Sequence, residues 1–331
     1  MLAQGKLLRD ILVVNMDRQL EEISQMRFQK ELCMLENEEA YVVVLCLVKR
    51  LVDSFVDAVG EKKMYYISPG FEKRKFLKNN LKNLGIYELL ESILSTKGQN
   101  IDKIELAEQE YLGTQNLYGK GVGEFLEAMA QSHLPGEAIG IRRIRRYEDR
   151  GTAVIAWESD KSWLEKEDTG FQLEFNHRKA QSILYSIDVA GNNKEIYKYR
   201  IFDLEIEDYE NMEEQQVCVE YFLISSAVRL ILKQMRENQY DLRKLFQYAD
   251  IKGDGQYHAL IIPEMIRIFM EEKAIPWKES VQIVKKTCGY VEYEDMITEI
   301  KKCPEKYVDA LVPGLIEKLE KLILGEKENA K

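Results

Sequence analysis

The chain has 331 residues, 45% of them hydrophobic, which is enough apolar material for a full core in one large domain or two lobes. Acidic residues outnumber basic ones, 57 to 47, and the net charge of −10 disfavours nonspecific adhesion to nucleic acid or anionic membranes. The five cysteines (Cys33, Cys46, Cys218, Cys288, Cys303) are odd in number and form no Cys-x-x-Cys pair, which argues against a disulfide frame or structural zinc site and for a cytoplasmic location.

Residues 1–10 carry Lys6, Arg9 and Asp10 with no apolar run behind them, so no secretory leader is expected. Over 7–59 apolar residues recur at helical spacing, as in Leu47, Leu51, Phe55 and Val59, so 1–60 reads as a helical region packed on the core. Its most apolar run, 41–48, is too short to cross a bilayer and is stopped by Lys49, Arg50 and Asp53. A β-rich run at 63–68 ends in Pro69-Gly70, and an amphipathic helix over 72–84 closes at Gly85. Helices at 104–111 and 124–132 flank a loop at 112–123, and a strand follows at 138–143. Short β-rich runs at 154–157, 171–175, 183–189 and 197–202, with a turn at Gly191-Asn192-Asn193, mark an antiparallel excursion, an insertion-like segment over 147–214. A long helix over 214–237 carries Val219, Leu223, Leu230 and Ile231 on one face. Helices at Pro263, at Trp277 and over 304–324 follow, and 325–331 is a polar tail. Strands alternating with helices predict an α/β fold with a mostly parallel central sheet and flanking helices.

Three blocks of residues carry a family resemblance. His258-Ala259-Leu260-Ile261-Ile262-Pro263-Glu264-Met265, then Pro276-Trp277, Lys286-Thr287, Tyr290 and Pro304, are similar to the THPALAIPELMRI, Pro-Trp, KTFAYTNHT and Trp-Pro features of α-glucan (glycogen, starch, maltodextrin) phosphorylases. Tyr65-Tyr66-Ile67-Ser68 with Leu77, Asn79 and Asn83-Leu84-Gly85 resembles that family's YYLSLEF and GRTLxNxxxNLG stretch, and 125–142 resembles its FLDSMATLGLAAYGYGIR. The resemblance implies that 61–324 is the Rossmann-like N-terminal lobe of a B-type (GT-B) glycosyltransferase, and that the family activity is phosphorolysis of α-1,4-glucans to glucose 1-phosphate.

The same alignment places other residues where the family's reactive groups stand. Its GNGGLGR phosphate loop matches Thr114 to Lys120, of which Gly119 is kept; Gly119, Lys120, Gly121 and Gly123 are the candidate remnant of a backbone cradle for phosphate. The acidic residue of SLEF matches Gly70, and the Gly-Arg after it matches Arg74-Lys75. The NDTHP loop matches Asp254-Gly255-Gln256-Tyr257-His258, which puts Gly255 at the aspartate and Tyr257 at the histidine. Tyr293 stands at the histidine of the AYTNHT motif. Tyr257 and Tyr293 are therefore candidate sugar-binding positions, but a phenol, with an ordinary pKa near ~10, does not repeat a histidine's proton work.

These replacements make the expected role that of a degenerate, non-catalytic relative, a binding or partner subunit in carbohydrate metabolism with no catalytic residue of its own. The family's pyridoxal phosphate is carried by a second lobe, and no cofactor is expected on this chain. Two alternatives are a divergent phosphorylase half active only with a separate pyridoxal-phosphate lobe, and a structural dimerisation or regulatory module. The implied partners are an α-glucan or sugar phosphate, weakly held, and a second copy or a separate phosphorylase-like chain; neither nucleic acid nor membrane is expected. Arg142, Arg143, Arg145, Arg146 and Arg150 form a basic cluster read as a solvated strand edge. Asp250-x-Lys252-x-Asp254-Gly255 imitates a calcium loop, but Lys252 and Ile261 occupy ligand positions, so a polar turn is expected. His133, His177 and His258 share no metal-ligand spacing.

Overall fold

Period-2 alternation along the strands decides the architecture, because it gives the central sheet two apolar faces and each must be covered. The computed structural model describes residues 2–69, 76–111, 122–146, 163, 165–191, 193–206 and 211–329. Helices α1 (Leu2–Phe28) and α2 (Asn37–Val52) come first, then strands β1 (Val56–Asp57) and β2 (Lys63–Ser68). Four helices follow: α3 (Phe76–Asn83), α4 (Tyr87–Thr96), α5 (Ile101–Tyr111) and α6 (Val122–Ser132). Next are β3 (Gly136–Arg146), β4 (Glu165–Phe175), β5 (Arg178–Ala190) and β6 (Glu195–Ile206). The long helix α7 (Met212–Glu237) leads through α8 (Leu245–Tyr248) to β7 (Ala249–Gly253). The chain closes with α9 (Ile261–Arg267), α10 (Trp277–Thr287), α11 (Tyr293–Ile300), α12 (Glu305–Leu311) and α13 (Leu315–Asn329).

The sheet is open, in the order β4-β5-β6-β3-β2-β7, with β1 paired to β6. Strands β6, β3, β2 and β7 run parallel, while β4 and β5 form the antiparallel end. On β2, Tyr65 and Ile67 face the core built with α7 to α13; Met64 and Tyr66 face the core built with α1 to α6. On β6 the same split separates Phe202 and Leu204 from Tyr199 and Ile201. The result is a three-layer α/β/α fold with a mostly parallel sheet, in agreement with the lobe that the resemblance implies.

Several elements depart from the sequence expectation. The spacing of Leu47, Leu51, Phe55 and Val59 overruns its helix: α2 stops at Val52, and β1 pairs in parallel with Glu195 and Ile196. Helices α1 and α2 share their core with α3 to α5 and one sheet face. The segment read as insertion-like supplies β6, which lies between β3 and β5 in the sheet's middle, so its β-rich runs belong to the central sheet itself. The run at 154–157 lies outside the described residues. The terminal helix expected over 304–324 is two helices, broken at Val312-Pro313-Gly314, where Gly314 takes φ +65°.

Helix α7 is the one described helix long and apolar enough to cross a bilayer. Its apolar side chains, including Val219, Leu223, Leu230 and Ile231, are buried between the sheet and α9, which accounts for its composition.

Candidate functional site

The topology singles out one place. In chain order the parallel strands are β2, β3, β6, β7, and in space they are β6-β3-β2-β7. From β2 to β3 the chain passes over one face through α3 to α6; from β6 to β7 it passes over the other through α7 and α8. The direction reverses between β2 and β7, and the crevice at the carboxyl ends of strands at such a switch point is where open α/β sheets bind ligands.

The carboxyl end of β7 is tied to that of β2. Asp254 N–H donates to Ile67 O at 3.0 Å, and the Tyr66 hydroxyl donates to Asp254 Oδ2 at 2.9 Å. Tyr66 stacks on Phe125 of α6, with ring centroids 5.2 Å apart. The other carboxylate oxygen, Asp254 Oδ1, is buried and has no hydrogen-bond partner. Behind it, a hole of about 10 Å³ is lined by Ile67, Pro69, Glu220, Gly253, Asp254 and His258, among others.

Glu220 organises the loop after β7. Its Oε2 accepts the Tyr257 N–H at 2.7 Å, and its Oε1 accepts Gln216 Nε2 at 3.3 Å. Burial pushes the Glu220 carboxyl above the usual range, against these hydrogen bonds. His258 Nδ1 meets Gly255 O at 2.8 Å, and its Nε2 lies 3.6 Å from Glu299. Gly255 sits at φ +111°, where an added Cβ would come within 2.8 Å of Glu220 Oε2 and 3.0 Å of Pro69 Cγ. Gly255→Ala should therefore cost about 1–3 kcal/mol of stability, read as a lower urea midpoint with an unchanged slope.

The expected sugar-binding tyrosines do not offer open platforms. Tyr257 is 3% exposed and Tyr293 6%, and both belong to the apolar core under α7 to α13. Gln256 Nε2 donates to the Tyr257 hydroxyl at 2.9 Å, and Lys285 Nζ stands 4.4 Å from the Tyr293 ring centre. A sugar stacks on an exposed aromatic face, and these faces are spent on packing. Burial, with Glu213 and Glu220 nearby, raises the Tyr257 pKa further, so its phenol keeps its proton.

Gly119, Lys120 and Gly121 lie outside the described residues, as do Gly70, Arg74, Lys75 and Thr114. Gly123 is the second residue of α6, so it is helical rather than part of an open loop. The arginines from Arg142 to Arg146 lie on β3, their side chains outside the described set together with Arg150. Asp250 and Lys252, expected in a polar turn, lie on β7, where Lys252 Nζ donates to Cys288 O at 2.6 Å. Among the described residues no group of His, Cys, Asp and Glu has the arrangement to hold a metal ion. Cys288 and Cys303 are buried, and desolvation pushes each thiol up to about 12, so neither is a thiolate nucleophile at neutral pH.

Sequence reading missed Glu220 and the Tyr66–Asp254 bond. Glu220 had a signal, a lone acid inside the apolar run from Val217 to Leu223. Tyr66 and Asp254 are 188 residues apart, beyond any local pattern.

The carbohydrate phosphorylase family profile matches residues 207–324. Maltodextrin phosphorylase of Streptococcus pneumoniae is 26% identical over 92% of this chain and 45% of its own length. Glycogen phosphorylase of Bacillus subtilis is 23% identical (79% of this chain, 40% of its own), and the α-glucan phosphorylase H isozyme of Solanum tuberosum 22% (83% and 41%). The chain thus spans less than half the length of these relatives. Its parallel sheet with helices on both faces and its phosphorylase-like sequence blocks agree with these matches: residues 207–324 match the carbohydrate phosphorylase family, and the chain is similar over most of its length to the first part of α-glucan phosphorylases.

Proposed function

We propose that this chain is a non-catalytic relative of the α-glucan phosphorylases that serves as a binding or partner subunit in carbohydrate metabolism. The observation that carries the reading is the chemistry at the β2–β7 switch point. Where the family's pattern places an aspartate and a histidine, this chain has Gly255 and a buried Tyr257, and the Asp254 carboxylate stands beside them. Phosphorolysis needs an anion cradle and a proton donor with an accessible pKa. The Asp254 carboxylate disfavours a phosphate, and a phenol with a raised pKa does not give up its proton at neutral pH.

The purified chain, given maltoheptaose and inorganic phosphate, should release no glucose 1-phosphate above the blank in a coupled assay. Sustained release of glucose 1-phosphate would overturn the reading.

A further inference from the structure

We infer that Asp254 sets the ligand class of the switch-point crevice: its unpaired carboxylate oxygen accepts a hydroxyl of an uncharged polyol and repels phosphate esters. The inference deepens the proposed function and rests on it, since it assumes that the crevice still takes a carbohydrate. Three observations support it independently of sequence similarity. Asp254 stands at the carboxyl end of β7, beside β2, where the sheet's topology reverses. Its two oxygens are treated differently: Tyr66 holds Oδ2 at 2.9 Å, while Oδ1 is buried with no donor. A buried acceptor without a donor is costly, and a fold retains one where a ligand or a water supplies the missing hydrogen. The adjoining hole, about 10 Å³, has room for one water or one hydroxyl and not for a phosphate group.

The charge also departs from the pattern that the chain otherwise follows. Asp254 occupies the asparagine position of the NDTHP motif, a change that keeps size and shape and adds a negative charge. No cation among the described residues is paired with it: Lys252, two positions earlier, donates to Cys288 O, and the lysine that bonds β7 from β2's side, Lys62, pairs with Asp250. A phosphate ester brought to this rim would meet the Asp254 carboxylate, whereas a sugar hydroxyl would supply the proton that Oδ1 lacks.

Asp254→Asn tests the inference by removing the charge alone. Calorimetric titrations of the full chain with maltoheptaose and with glucose 1-phosphate should show that the wild type prefers maltoheptaose. In the variant the affinity for glucose 1-phosphate should rise at least about tenfold, while that for maltoheptaose changes less than about threefold. Tyr66→Phe, which removes the phenol and leaves the charge, should give no such gain. The inference is overturned if Asp254→Asn leaves glucose 1-phosphate binding unchanged, if Tyr66→Phe gives the same gain, or if the wild type binds neither ligand. Glucose 1-phosphate release by the wild type would sink the non-catalytic reading by itself, and an unresponsive Asp254→Asn in a chain that binds maltoheptaose would sink this inference alone. A thermal midpoint for Asp254→Asn at or above the wild-type value shows that the carboxylate is not a structural support, and a fall of more than a few degrees assigns it to the fold and overturns the inference.

Discussion

Glu264→Ala is expected to lower the unfolding free energy by about 3–5 kcal/mol, the usual consequence of removing one partner of a buried ion pair. Glu264 is 0% exposed and stands at the start of α9, inside the Ile-Pro-Glu-Met block that matches the phosphorylases. Its carboxylate accepts the Ser225 hydroxyl at 2.5 Å and the Tyr221 hydroxyl at 3.0 Å, both from α7. Arg267, one turn along α9, donates to both of its oxygens, at 2.9 and 3.0 Å. Alanine would leave two buried hydroxyls without their acceptor and a cavity besides, and Arg267 would keep only its outer partners Glu271 and Glu272. Glu264→Gln should recover part of the loss, because the amide oxygen still accepts from α7 while the charge pairing with Arg267 is gone. Urea denaturation of the three proteins checks this; an alanine variant within about 1 kcal/mol of wild type would mean that the pair does not hold α9 to α7.

This assignment explains why the motif was legible as a scaffold. Apolar spacing around Glu264 marks a buried helix, and an acid at its centre demands a buried partner, which Arg267 supplies three residues on. The strands were legible for a similar reason: Lys63 to Ser68 alternates between two covered faces, so both parities are apolar and the run reads as β. Strand β7 was not, because Ala-Asp-Ile-Lys-Gly is a five-residue edge strand whose Asp250 and Lys252 bond to Lys62 and Cys288. Charged residues on an edge look like a turn in one dimension. Of the site, the positions of Tyr257 and Tyr293 could be found by alignment, but their burial could not, since it depends on α7 and α10 to α13 closing over them. Asp254 was visible only as a motif letter, and its bond to Tyr66 exists only because β2 and β7 become neighbours after the four intervening strands and their crossovers have been placed.

A second buried charge network, near the starts of β2 and β3, is expected to make stability depend on pH. Glu137 is 0% exposed, and its carboxylate lies 2.6 Å from Lys63 Nζ on β2 and 3.1 Å from Arg200 Nε on β6. Gln234 of α7 donates to both of its oxygens and itself accepts the Tyr65 hydroxyl at 2.8 Å; Arg200 pairs further with Glu167 of β4. One carboxylate thus joins three strands to the helix that covers them. Burial alone would raise its pKa, but Lys63 and Arg200 outweigh that, and the group is held below the ordinary glutamate value of 4.5. A pKa lower in the folded than in the unfolded state gives stability that is fully present above pH 4.5 and is lost as pH falls through the folded value. The wild-type urea midpoint should therefore drop between about pH 5 and pH 3, and Glu137→Gln should show a shallower drop from a lower plateau. Glu137→Ala should lose about 3–5 kcal/mol at neutral pH, because Lys63 remains partly buried without its counter-charge and Arg200 keeps only Glu167. The network lies at the opposite end of the parallel strands from Asp254, so any Glu137 variant that stays folded should bind maltoheptaose as the wild type does. A Glu137→Gln profile parallel to that of the wild type would mean that other carboxylates carry the acid response, and altered maltoheptaose affinity in a folded variant would tie the two ends of the sheet together.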